Sequence, residues 1–244
     1  AYAAATNYPQ EYGNETFADE LGAIEAKYMA GEYADSEIDM VVLEVKGTTN
    51  RYLMADAIAY AQKDNPIDVT ALVVNQASFE DNTYLPSWIA ENGITTVAEN
   101  SVEFFNKNYN FYQTLIGMPA GTYRLETCGF YRCGGQVENY SAYINGNLQR
   151  NAKLYITHST EGTQTADVMA ISDDPSQKTA EGAWYSQMDY RVPDNMVAAA
   201  YAIDEGGKYQ PKDGYNSVTI TVSEIGDLTI GVKKEKLVGN DWSF

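Results

Sequence analysis

The sequence has one histidine, two cysteines and only 16 basic residues against 34 acidic ones in 244 positions. One His and two Cys cannot supply the four N and S ligands of a tetrahedral zinc site. The formal charge of -18 repels phosphate backbones and anionic lipid surfaces, and no basic stripe offsets that repulsion, so nucleic acid is excluded as an expected partner. No apolar run approaches the about 20 residues of a membrane-spanning helix; the longest are of strand length. The opening residues lack the charged and apolar regions of a leader, so a signal peptide is either absent or removed. There is no GxSxG nucleophile elbow. The lone His158, in THSTEGT, has no nucleophile or orienting acid marked out for it, and nothing in the chain assembles a triad.

What is abundant is tyrosine, 20 residues, with aromatics at 12%. Tyr offers a large flat contact area with a hydrogen-bonding tip, which serves a glycan-binding surface and a β-rich core equally. The length suits two domains, each able to bury a core.

The first domain, residues 1–65, reads as a helical hairpin with its linker. Thr16 with Asp19 has the spacing of a capping box, and Phe17, Leu21, Ile24 and Tyr28 form a helical stripe up to Gly31. A second start lies at Ser36 with Asp39, after which Ile38, Val42, Val45, Thr49, Tyr52 and Ala59 keep a helical spacing until Asp64-Asn65-Pro66. Gly47 weakens this helix by about 1 kcal/mol and predicts a kink there. Residues 1–15 carry no clear period.

From Asp68 the period changes to two, and residues 66–244 read as a β-sandwich domain. Strands are predicted over 71–75, 95–97, 102–105, 141–144, 152–156, 218–222 and 228–232. The clearest signal is YNFYQTLIGMPAGTYRLETCGFYRCGG, residues 109–135, in which two alternating strands flank the turn at Gly117-Met-Pro119-Ala-Gly121. These two strands are expected to form a hairpin of antiparallel sheet.

The same segment resembles one found in a galactose-binding-like β-sandwich domain of secreted and surface proteins of Bacteroidetes. NQASFED near residue 75, VPDNMVAAAYAIDEGGKYQ over 192–210, GDLTIGVKK over 226–234 and the closing Asp241-Trp242 resemble further motifs of that family in order. The resemblance covers about three quarters of the chain. It implies a mainly β fold, a jelly-roll-like sandwich of the galactose-binding type behind the helical hairpin. It also implies an extracellular or cell-surface setting, a short helix within residues 192–210, and a closing strand whose remaining residues would follow Phe244. The chain is then a fragment or ends differently from the family, and further domains of a larger chain are expected partners.

The implied function is a non-catalytic module that binds carbohydrate or attaches a surface protein to a glycan or cell-surface partner. The alternative is a structural or protein-interaction module without a sugar site. A polysaccharide-active enzyme is the least supported reading: Glu80-Asp81, Asp173-Asp174 and Asp204-Glu205 all sit among turn residues, where carboxylates are ordinarily solvated. For the sugar site the candidates are Trp184 and Tyr185, in the aperiodic polar stretch EGAWYSQMDY, with Tyr131, Arg132 and Tyr140 lining the same rim. Against this stands the reading that Tyr131 fills the core and Arg132 pairs with a carboxylate. Trp88 and Trp242 read as structural. The resemblance further implies a structural calcium, with Asn75, Glu80 and Asp81 as ligands, since calcium takes six to eight oxygens; no other cofactor is expected.

Cys128 and Cys133 are the only cysteines. In an extended segment their Cα atoms lie roughly 16 Å apart at about 3.3 Å per residue, whereas a disulfide needs less than about 7 Å. Alkylation without reductant, read by intact mass, is expected to modify both thiols; a protein two hydrogens light and unmodified would mean that the chain turns back between them.

Overall fold

The computed structural model describes residues 11–79, 85–170, 184–187, 190–193, 195–204, 207, 209–212 and 214–244, with the backbone alone over 184–187 and 190–192. Two helices lead the chain, α1 (Asn14–Met29) and α2 (Ile38–Tyr60), followed by a single turn, α3 (Thr70–Val73). Strands β1 (Ile89–Glu91), β2 (Thr96–Ala98), β3 (Ser101–Phe105), β4 (Tyr109–Met118), β5 (Gly121–Glu126) and β6 (Tyr131–Arg132) come next, then helix α4 (Gln136–Ile144). The remainder runs β7 (Ala152–His158), β8 (Gly162–Asp167), β9 (Trp184–Gln187), β10 (Tyr190–Pro193), α5 (Met196–Asp204), β11 (Ser217–Val222), β12 (Gly226–Lys234) and β13 (Trp242–Ser243). The protein is thus mainly β, with antiparallel sheets and a few helices.

The largest sheet has the order β1-β4-β12-β7-β8, and β5 pairs separately with β11. The period-two pattern of these strands fixes which side chains meet. Val218, Ile220 and Val222 of β11 face Leu115, Met118, Leu154, Ile156, Leu228 and Ile230 of the larger sheet in one apolar cluster, with Tyr123 and Leu125 packed against it. Threonines on the other side pair across strands, Thr122 with Thr221 at 3.0 Å and Thr114 with Thr229 at 3.1 Å.

The expected hairpin of β4 and β5 is therefore not formed. β4 bonds to β1 and β12, and β5 bonds to β11; the turn after Met118 carries the chain from one sheet to the other. Two strands with one apolar side each can satisfy it by pairing edge to edge over a third element or by facing each other across a core, and here they do the second. Tyr123 anchors the crossing by donating its hydroxyl to the Pro119 carbonyl at 2.6 Å.

Two strand assignments are corrected as well. Residues 70–73 form α3, because Asp68 Oδ1 accepts from the Thr70 amide at 2.9 Å and starts a helical turn. Residues 141–144 belong to α4, whose Tyr140 and Asn139 face inward. Short apolar runs fit either period.

Helix α1 begins at Asn14, with Gly13 in the left-handed region before it and no side-chain cap at Thr16. Helix α2 runs through Gly47 without a break. The glycine has another use. A Cβ on Gly117, whose φ is +60°, would lie 2.8 Å from the Gly47 Cα, so the two glycines let α2 rest on the bend of β4. Asn50 Nδ2 donates to the Ile116 carbonyl at 2.8 Å beside this contact, and Met54 enters the main apolar cluster.

A third sheet has the order β2-β3-β13-β6. Against the face that carries Trp242, α4 and α5 bury Tyr140, Ala199, Ala202 and Ile203 with Phe130, Met169, Tyr209 and Trp242 itself. The larger sheet and this one are tied by a buried ion pair between Lys234, the last residue of β12, and Asp241, just before β13. Both side chains are fully enclosed. The ammonium lies 6.0 Å from the Tyr109 ring and 5.8 Å from the Tyr131 ring, while Asp241 Oδ2 also accepts from the Val238 amide at 3.0 Å. Burial pushes the Lys234 ammonium below the ordinary lysine range, and Asp241 opposes that shift.

Two measurements follow from these contacts. Gly117→Ala is expected to lower stability by at least about 1 to 2 kcal/mol from the left-handed backbone alone, with the clash against Gly47 adding to it, whereas Gly47→Ala should stay within about 1 kcal/mol because helix propensity favours Ala; a Gly117→Ala loss no larger than that of Gly47→Ala in denaturant melts would refute the strained bend. Asp241→Leu, which strands a buried ammonium, should cost roughly 3 to 5 kcal/mol, and adding Lys234→Met should recover much of it. A double variant as unstable as the single one would mean that Asp241 acts mainly through the backbone of its turn.

Candidate functional site

Strand β13 lies between β3 and β6, and Trp242 stands opposite Phe105 on one side and Arg132 on the other. Residues directly opposite in antiparallel strands share a face, so Phe105, Trp242 and Arg132 form one row across the sheet. Glu103, two residues before Phe105, joins the same face. The next row, Phe104, Ser243 and Tyr131, turns to the other face. Sheet alternation thus separates Arg132 from its neighbour Tyr131.

The row is the floor of an open cavity of about 520 Å³, a size ordinary for small-ligand sites. Its walls come from Gly135, Gln136 and Glu138 at the start of α4 and from Asn240 in the turn before β13. Glu138 folds back over this helix start: its Oε2 lies 2.5 Å from where a Cβ on Gly135 would sit, and the helix dipole favours a carboxylate there. Asn240 is placed by its amide, which donates to Asn106 Oδ1 at 3.2 Å.

Arg132 and Trp242 are rigid parts of the floor, 4% and 3% exposed, while Phe105 is 40% exposed. The guanidinium lies 5.0 Å from the Trp242 ring centroid. Its Nε donates to the Gly134 carbonyl at 3.1 Å and Nη1 to the Pro193 carbonyl at 3.4 Å. The Trp242 indole Nε1 is buried with no hydrogen-bond partner among the described residues. An exposed ring, a fixed guanidinium, two carboxylates and two amides therefore converge on one depression.

Of the residues the sequence proposes, Arg132 alone lies in this cavity with its side chain described. Tyr131 is fully buried, its hydroxyl accepting from Asn151 Nδ2 at 3.1 Å. Tyr140 is buried on the inward side of α4, in the apolar cluster that also holds Phe130 and Trp242. Both are core residues, as strand alternation and the inward side of α4 require. Trp184 and Tyr185 lie on β9, so the aperiodic stretch is a two-stranded ribbon in which they stand opposite Pro193 and Val192. Pro193 is also the Arg132 acceptor, which brings the backbone of that ribbon beside the cavity; their side chains lie outside the described residues.

Asn75 is held through its backbone, the amide donating to Gln113 Oε1 at 3.0 Å and the carbonyl accepting from Gln113 Nε2 at 3.1 Å and Trp88 Nε1 at 2.9 Å. Glu80 and Asp81, the other calcium candidates, lie outside the described residues, as do Asp173, Asp174 and Glu205. Among the described residues no three His, Cys, Asp or Glu side chains gather around a possible metal position. His158 is buried, with Nδ1 accepting from the Thr160 and Glu161 amides at 3.4 Å each. Cys128 is exposed, Cys133 is half-buried, and both are free thiols.

Glu103, Phe105, Gln136, Glu138 and Asn240 were not singled out by sequence. The alternation in SVEFF places Glu103 and Phe105 on one side of a strand, but only the pairing with β13 shows that Arg132 shares it. No protein-family model, curated protein or solved structure matches the chain. Among the described residues no helix is long and apolar enough to cross a membrane.

Proposed function

We propose that this chain is a non-catalytic carbohydrate-binding or surface-attachment module, a galactose-binding-type β-sandwich of jelly-roll character from a secreted or surface protein of Bacteroidetes, with its sugar site in the cavity floored by Phe105, Trp242 and Arg132. The observation that carries the reading is the convergence of an exposed aromatic ring with polar groups held on rigid strands. A pyranose presents C–H groups that pack on a ring and hydroxyls that need directed partners, and this cavity offers both. The motif resemblance supports the fold and the extracellular setting. Rigid strands and a helix start hold these groups in place, which lowers the ordering cost of binding.

A second reading, a protein-interaction module, is favoured by the apolar side chains that α1 and α2 leave exposed, Met29 at 78% and Met40 at 65%, together with Val42 and Leu43 of α2. Surfaces of this kind mark association sites when they are contiguous.

The test is a glycan array with the whole chain, repeated with Phe105→Ala. The variant should lose little stability, as its side chain is already half open to solvent, and should bind a responsive glycan roughly five- to tenfold more weakly, the equivalent of about 1 kcal/mol of stacking. Unchanged binding by a stable variant would place the sugar elsewhere, with the β9–β10 ribbon as the next candidate. An array with no response at all would leave the interaction reading.

A further inference from the structure

Charge in the cavity carries the carbohydrate reading one step further, to the class of sugar. Among the described lining residues Arg132 is the one cation, against two carboxylates, Glu103 and Glu138. An arginine in a sugar site would ordinarily suggest recognition of a uronate or sulfate, because the guanidinium fork matches such anions. Here its position argues otherwise. The group is almost fully enclosed, lies over the Trp242 ring and donates to the carbonyls of Gly134 and Pro193. It is used as a structural brace for the floor. Neither Glu103 nor Glu138 has an ion-pair partner among the described residues, so the open part of the cavity is acidic, within a chain of formal charge -18.

A carboxylate accepts hydrogen bonds through two oxygens and suits a ligand rich in hydroxyl donors. Gln136 and Asn240 add amides that both donate and accept. We propose, resting on the carbohydrate reading, that the cavity selects uncharged sugars, binding their hydroxyls through Glu103 and Glu138 over the Phe105 ring, and that it rejects glycans carrying carboxylate or sulfate.

Calorimetric titration of the whole chain with two oligosaccharide sets of equal length, neutral hexose oligomers and the corresponding oligouronates, tests this directly. Neutral oligomers should bind at least tenfold more tightly at low ionic strength. The gap should narrow in about 0.5 M salt, because screening acts on the repulsion between like charges, while neutral binding stays nearly constant. Glu138→Gln, which keeps the shape and removes one charge, should narrow the gap further by weakening neutral binding and easing uronate binding. Uronates that bind as tightly as neutral oligomers or more tightly would overturn the selectivity and leave the carbohydrate reading standing, with Arg132 as the anion anchor. If neither set binds, and Phe105→Ala also changes nothing on the array, the carbohydrate reading falls and this inference falls with it.

Discussion

The ion pair between Lys234 and Asp241 is the contact on which the rest of the architecture turns. Taking an ammonium and a carboxylate out of water costs several kcal/mol per ion, and only close pairing with further polar contacts offsets it. Asp241 has one such contact, Oδ2 accepting from the Val238 amide, and its backbone carbonyl is held separately by the Asn106 amide at 2.9 Å. The pair therefore fixes the turn that leaves β12 and the register in which β13 enters between β3 and β6. Trp242 is the residue after Asp241, so the ion pair that ties two sheets also sets the floor of the cavity. An apolar pair could fill the same space, but it would not specify which strand end must meet which turn.

The second constraint is the passage of the chain between sheets. β4 to β5 and β11 to β12 cross side by side, since β4 pairs with β12 and β5 with β11. Each crossing keeps an apolar side facing the common core, and this permits tight turns without a hairpin. Gly117 bends the end of β4 at one of these crossings, where α2 approaches through Gly47. The helical pair is thereby attached to the β layers by a contact that any side chain on Gly117 would push apart.

Much of this was legible in residues 95 to 126, 152 to 156, 218 to 222 and 228 to 232, where period-two alternation places strands near their observed positions, whereas β8, β9 and β10 carry no such signal. Pairing was not legible. Two alternating segments around Gly117 and Pro119 suit a hairpin or a crossing equally, because alternation records which side is buried and not what buries it. Residues 70–73 and 141–144 went to helix for a related reason: short segments satisfy both periods, and Asp68 or the start at Gly135 decides locally. Gly47 was read by propensity alone, although its role depends on a partner 70 positions away. In the candidate site, sequence marks Arg132 by its place at the end of a strand. It puts Tyr131 and Tyr140 beside it by proximity in the chain, whereas strand and helix geometry send both inward. Phe105 and Glu103 are invisible until β13 is known to bring them to Arg132.

This arrangement also explains why a cavity with an enclosed arginine is acidic in character. A strand residue flanked by Trp242 and carbonyl acceptors spends its charge on holding β6, β13 and a neighbouring ribbon together, and desolvation in that position strengthens those local bonds. The groups left to meet a ligand are those that arrive from the ends of elements: Glu138 at a helix start, Asn240 in a turn, Glu103 and Phe105 on a strand near the sheet edge. Such positions tolerate change without loss of the floor beneath them. Rigid residues in the middle and polar ones at the margin form an arrangement in which specificity can shift while the fold stays fixed. On the proposed carbohydrate reading, a charge change at Glu103 or Glu138 alters which sugars enter, and a change at Arg132 alters whether the cavity floor exists.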